Sequence, residues 1–103
     1  MTKEILNFIG LMSRARAIIT GTDLVINGVR SKKVKLVVID GNVSENTLKK
    51  IVDKCNYYHV KYIIIDKEFE LGSVIGNASR KVIGITDLNF AKALLEKIEK
   101  INK

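Results

Sequence analysis

The stretch Lys35-Leu36-Val37-Val38-Ile39-Asp40-Gly41-Asn42-Val43-Ser44 decides the fold. Its first five residues form a β-branched run of strand length, and Asp40-Gly41-Asn42 is a turn that ends it. Ser44 is a helix cap, and Leu48, Ile51, Val52 and Cys55 recur at the spacing of one buried helical stripe. Lys61-Tyr62-Ile63-Ile64-Ile65 is the next strand. Strands apolar along their whole length are covered on both faces. Two such strands separated by a helix need a crossover connection, hence a largely parallel or mixed sheet. The expected fold is an α/β class, three-layer α/β/α sandwich around a mixed sheet of about four strands.

Working outward, residues 3–17 carry Ile5, Phe8, Ile9 and Met12 at i, i+3, i+4, i+7, an amphipathic helix with Thr2 placed to cap it. Ile19-Thr20-Gly21 reads as a short turn before a second helix from Thr22 to Ser31, with Leu24, Val25 and Val29 as its apolar side. Beyond the second strand, Lys67 to Gly76 reads as a short helix and Lys81 to Thr86 as a strand. Asp87 caps a last helix with Leu88, Ala91, Leu95 and Ile98 inward. No repeat, linker or low-complexity stretch interrupts the 103 residues, so 1–103 is expected to be a single domain.

The chain has no proline and one cysteine, which excludes an intramolecular disulfide and points to a reducing compartment. Its apolar runs fall far short of the roughly 20 residues that span a bilayer. MTKEILNFIG lacks the pattern of a signal peptide. A soluble cytoplasmic domain without membrane contact is the expectation.

Eighteen basic residues against eleven acids leave a net charge of +7. Arg14, Arg16, Arg30, Lys32, Lys33 and Lys35 face a single acid, Asp23, within one stretch, so +5 of the +7 falls between positions 14 and 35. A solvated basic face is the ordinary outcome of such a surplus. Its concentration makes nucleic acid the leading functional reading.

Catalytic and metal chemistry finds no constellation. Cys55 and His59 are two potential ligands where a closed zinc site needs four, and Cys55 falls on a buried stripe. Tyr57 and Tyr58 could stack on bases, but tyrosines at a helix end more often pack on a sheet edge with the hydroxyl in water. Gly72 to Gly76 lacks both the further glycine of a dinucleotide fingerprint and the lysine of a phosphate loop. Asp40, Asp53, Asp66, Glu68 and Glu70 are scattered and read as solvated carboxylates. No enzyme, cofactor or metal is expected.

Several segments carry a resemblance over essentially the whole chain: Gly10-Leu11-Met12-Ser13-Arg14-Ala15-Arg16, Gly21-Thr22-Asp23-Leu24-Val25, Ser44-Glu45-Asn46-Thr47-Leu48-Lys49-Lys50, Asp53-Lys54-Cys55-Asn56-Tyr57-Tyr58, Glu70-Leu71-Gly72-Ser73-Val74-Ile75-Gly76 and Thr86-Asp87-Leu88-Asn89-Phe90-Ala91-Lys92. In this order they resemble the small bacterial, YlxQ-type members of the L-seven-Ae ribosomal protein family, which binds RNA kink-turns. The resemblance implies an α/β/α sandwich and a structured RNA partner, kink-turn or ribosomal, with the ribosome a further partner and the free protein a monomer.

The resemblance also implies where RNA is read. A glycine frees the backbone before the second helix, whose N-terminus meets phosphates, and an Asn-Glu…Lys set reads guanine edges. Gly21 and Thr22 match; the reader positions hold Asp23, Leu24 and Asn27. Asp23 accepts but cannot donate, Leu24 makes no polar contact, and Asn27 lacks the charge, so two lost contacts at ~1–3 kcal/mol each alter base reading. Asn42 stands where relatives carry an acid. The second family element, which packs on a flipped-out nucleotide, corresponds here to the loop with Asn77, Ala78, Ser79 and Arg80, also readable as a plain polar turn. Arg14, Arg16, Arg30, Lys32 and Lys33 are expected at phosphates; four such contacts give a log affinity–log salt slope of roughly −3 to −4. The alternative is a protein-interaction module of the translation or ribosome-assembly machinery, anchored by Leu24, although Leu24 turned inward as core is the simpler expectation.

Overall fold

The computed structural model describes residues 2–77 and 79–101, with side chains described for 3–77 and 79–100. The side chain of Thr2, expected to cap the first helix, and Ala78, expected in the second contact loop, lie outside the described residues. In chain order the elements are α1 (Thr2–Arg14), β1 (Ile18–Thr20), α2 (Thr22–Arg30), β2 (Leu36–Asp40), α3 (Glu45–Tyr58), β3 (Lys61–Ile65), α4 (Leu71–Ile75), β4 (Val82–Ile85) and α5 (Leu88–Ile101).

The four strands form one mixed sheet in the order β1-β4-β2-β3. The β2 and β3 strands pair in parallel, joined by the α3 crossover, while β4 runs antiparallel to both β1 and β2. Successive side chains of β2 alternate between faces. Leu36 and Val38 enter a core with Ile9, Met12, Leu71 and Leu94 from α1, α4 and α5. Val37 and Ile39 enter another with Val25, Val29, Ile51 and Cys55 from α2 and α3. These two cores are the interfaces of a three-layer sandwich, as expected for a strand buried at every position. Each large aliphatic side chain taken wholly from water, Ile9 or Leu36 for instance, contributes roughly 1.5–3 kcal/mol.

Local chemistry sets the element ends. The Ser44 hydroxyl accepts from the Thr47 N–H at 3.2 Å, and the Asp87 carboxylate accepts from the Phe90 N–H at 3.0 Å, so both expected caps are present. Helices α1, α2 and α3 are followed by Arg16, Lys32 and His59 in the left-handed region, with φ of 59°, 66° and 59°. That reversal stops α1 at Arg14 rather than at the expected position 17, with the Ala17 N–H closing on the Met12 carbonyl.

Other expectations are corrected. Ile19 and Thr20 are not a turn but belong to β1, a strand recognisable only through its partner β4. The helix expected from Lys67 to Gly76 shrinks to Leu71–Ile75, because the buried Asp40 carboxylate takes the Leu71 N–H at 3.0 Å and pins the helix start there. Asp40 is therefore not solvated: its other carboxylate oxygen accepts from the Asn42 N–H and side-chain amide. Leu24, expected in the core, is 60% exposed, since α2 buries Val25, Ile26 and Val29 and Leu24 lies about 100° round from Val25. Leu88 is exposed one turn before the buried Ala91, and β3 is a sheet edge with Ile64 half-exposed rather than covered on both faces.

Candidate nucleic-acid interface

Strand register defines two ends of the sheet. Thr20, Val82, Asp40 and Ile65 lie at one; Ile18, Ile85, Leu36 and Lys61 lie at the other. At the first end, the chain leaves β1 through Gly21, which has φ 95° and ψ 143° and donates its N–H to the Val82 carbonyl at 3.0 Å. Side chains rarely adopt that conformation. A Cβ on Gly21 would also stand 2.7 Å from Nη1 of Arg80, so the guanidinium lies directly on the bare backbone that opens α2. No side chain caps α2, and helix-start amides favour anions.

Gly21, Thr22, Ser79 and Arg80 share one shallow cleft of about 380 Å³. The fold thus brings the two expected RNA elements, far apart in sequence, to one place. Asn77 and Ser79 are tied to each other: the Asn77 side-chain carbonyl accepts from both the N–H and the hydroxyl of Ser79, at 3.2 and 2.7 Å. Asn42, Val43, Ser44, Thr47 and Lys81 complete the lining. The resemblance already set the Asn42 loop beside the site, whereas Ser44 was legible only as a cap and no sequence signal turned Thr47 toward Gly21. Asp23 and Leu24 are exposed in the first turn of α2 and Asn27 one turn further on, and Asp23 lies 3.8 Å from Lys50 of α3. That exposed pair is worth little in stability.

The basic residues fall elsewhere. The chain climbs from Arg16 along β1 to Gly21 and descends along α2 to Arg30. Arg14, Arg16, Arg30, Lys32 and Lys33 therefore sit at the far end of the sheet, roughly 15 Å from the cleft by strand rise. Lys35 and Lys61 join them, because Lys35 precedes β2 and Lys61 opens β3. Lys32 donates through Nζ to the Tyr58 carbonyl, and Lys35 Nζ donates to the Lys32 carbonyl at 2.8 Å. Along the segments closing this end, residues 14–17, 30–35, 59–61 and 86–87, seven basic residues face the single acid Asp87. At the cleft end, residues 20–24, 40–45, 66–70 and 76–81, three basic residues (Lys67, Arg80, Lys81) face six acids (Asp23, Asp40, Glu45, Asp66, Glu68, Glu70).

Cys55 is a core residue, as its stripe position implied; burial pushes its thiol up to about 11. Tyr58 packs on the core under α3 and meets the Tyr57 ring edge-on at 4.8 Å, while Tyr57 is 68% exposed. No described helix is long and apolar enough to cross a membrane.

Comparison with known proteins agrees with this architecture. The chain belongs to the ribosomal protein L7Ae/L30e/S12e/Gadd45 family, whose model matches residues 3–95. It is 42% identical over 91 residues to a Bacillus subtilis protein named RNA-binding protein YlxQ, covering 88% of this chain and 91% of that one. An Enterococcus faecium protein of the same name is 43% identical over 97 residues, covering 94% and 93%. Among solved structures, a Bacillus halodurans protein of unknown function superposes with a TM-score of 0.85 at 34% identity, covering 92% of this chain and 96% of that one. A Giardia lamblia 15.5kD RNA binding protein superposes at 0.80 with 20% identity, covering 98% and 87%, which speaks for the fold alone.

Proposed function

We propose that this protein binds structured RNA, a kink-turn or a comparably bent ribosomal helix, through the cleft between the start of α2 and the Asn77–Arg80 loop. The observation that carries the reading is the Arg80 guanidinium resting on Gly21 at an uncapped helix start. A planar cation beside a helix start that no side chain caps suits an approaching phosphate. The family and the two YlxQ relatives named as RNA-binding support the same partner.

Base reading differs from the family pattern. Asp23 accepts hydrogen bonds only, Leu24 contributes none, and Asn27 replaces a cation. Shape and backbone contacts then carry more of the affinity than base edges do. The test is binding of a labelled kink-turn RNA against a straight duplex of equal length over a salt series. Bend-selective binding that Arg80→Ala weakens supports the reading; equal binding of both RNAs, untouched by Arg80→Ala, rejects it.

A second reading has its own observation. Leu24 is an exposed aliphatic side chain beside the cleft, the kind of anchor a protein partner uses. In that reading the fold serves a component of the translation or ribosome-assembly machinery. Pull-downs with and without nuclease separate the two: a captured protein that survives nuclease and is lost in Leu24→Ala favours the second.

A further inference from the structure

The reading proposed above uses the cleft, yet most of the net charge lies at the other end of the sheet. We propose that this opposite end, centred on Arg30, Lys33, Lys35 and Lys61, is a second RNA-binding surface that holds the phosphate backbone of a duplex segment separate from the one in the cleft. The proposal rests on the RNA-binding reading for the class of its partner, but not on the cleft for its geometry.

Three observations carry it. The surface is assembled from four separate segments, and seven basic residues against one acid place +6 of the chain's +7 there. Phosphate neutralisation, with release of counterions, is what such a concentration supplies. Next, helix-dipole preference explains only part of it. Arg14 and Arg30 stand in the last turns of α1 and α2, where cations are favoured anyway. Lys33 and Lys35 lie in the loop after α2 and Lys61 opens a strand, so no helix end accounts for them.

The third observation is that the surface is held in shape. Val34 is buried between the two lysines, wedged against Gly28 of α2 and Gly84 of β4, and Lys35 donates its N–H to the Ile85 carbonyl at 2.7 Å. Lys32 is tied to the end of α3 through Tyr58. The cations of three segments are thus fixed to one rim of a rigid sheet. The rim crosses four strands at about 4.8 Å spacing, a width that meets several phosphates of one duplex. An acidic protein surface is the competing partner; the family and the two relatives named as RNA-binding favour RNA.

The experiment uses the full chain, fluorescence anisotropy and the two RNAs above. Lys33→Gln, Lys35→Gln and Lys61→Gln together are expected to lower affinity for the straight duplex about tenfold or more at low salt. They should also flatten its log–log salt slope by about 2–3, while Arg80→Ala leaves straight-duplex binding within about twofold. A complex preformed with kinked RNA should also capture labelled straight duplex, and the triple variant should not. An unchanged slope and affinity in the triple variant would overturn the proposal and leave the rim to an acidic protein. One-for-one competition between the two RNAs would overturn it too, since that means a single surface. If the kinked RNA binds no better than the duplex while the triple variant still loses duplex binding, the cleft reading fails and the rim stands. Lys33→Glu alone, one exposed loop change, repeats the test should the triple variant lose its folded state.

Discussion

The two ends of the sheet hold opposite charge, in part because three helices point the same way. Helices α1, α2 and α3 end at the basic rim, and α2 and α3 begin at the cleft end. Asp23 and Glu45 occupy first turns, Arg14 and Arg30 last turns, as the helix dipole favours. The fold itself therefore sorts part of the charge, and the loop and strand lysines extend the sorting. What remains at the cleft end is geometry: a bare glycine, an uncapped helix start and one well-placed guanidinium. One end is built for shape, the other for charge.

The sharpest way to break this contrast is to dislodge the basic end from within. A Cβ on Gly84 would stand 2.6 Å from a Val34 methyl, and Val34 is fully buried, so Gly84→Val overpacks the seat of the Lys33–Lys35 loop. Destabilisation of about 3 kcal/mol is expected by denaturant titration. At temperatures where the variant stays folded, straight-duplex binding should fall more than kinked-RNA binding. Equal losses would mean the two ends are not separable.

The matching change at the other end is Gly21→Ala. It places a side chain at φ 95° and against the Arg80 guanidinium, at a cost of about 2 kcal/mol. Kinked-RNA binding should suffer and straight-duplex binding should not. Adding Arg80→Ala removes the clash but not the backbone strain. A double variant as stable as Arg80→Ala alone would show that crowding, not backbone conformation, makes Gly21 necessary. Next in size is Asn27→Lys, which returns a cation to the exposed face of α2. It should improve kinked-RNA binding by about 1 kcal/mol with little effect on the straight duplex, and an equal gain for both would count against base reading at that position.

How much of this was legible depended on whether the cause was local. The Ser44 and Asp87 caps, the β2 run and the buried Cys55 stripe follow from residues within a few positions of one another, and all are present. The β1 strand was not legible, since three residues become a strand only when β4 pairs with them. Nor was the start of α4, fixed by Asp40 from 31 residues away. The charge cluster misled in an instructive way. Positions 14–35 are one stretch in sequence, but the chain crosses the sheet twice within it, so Gly21 and Arg30 end up at opposite ends. Lys61, remote in sequence, completes the rim that the stretch only suggested. Leu24 defeated the periodicity because Val25, Ile26 and Val29 already fill the buried arc.

The smallest expected effect tests whether the basic end sacrifices stability for charge. Lys32 occupies the left-handed position that glycine fills most easily, with φ 66°, and His59 does the same after α3 with φ 59°. A side chain there costs about 1 kcal/mol relative to glycine, partly offset because glycine also frees the unfolded chain. The Lys32 side chain recovers some of that cost: Nζ donates to the Tyr58 carbonyl and stands 6.0 Å from the Tyr58 ring. Lys32→Gly should therefore stabilise by no more than about 0.5 kcal/mol, and His59→Gly by somewhat more. Only Lys32→Gly should flatten the duplex salt slope, by up to about one unit. If Lys32→Gly instead destabilises while His59→Gly stabilises, the link to α3 outweighs the strain, and Lys32 is a structural clasp rather than a charge held at the cost of stability.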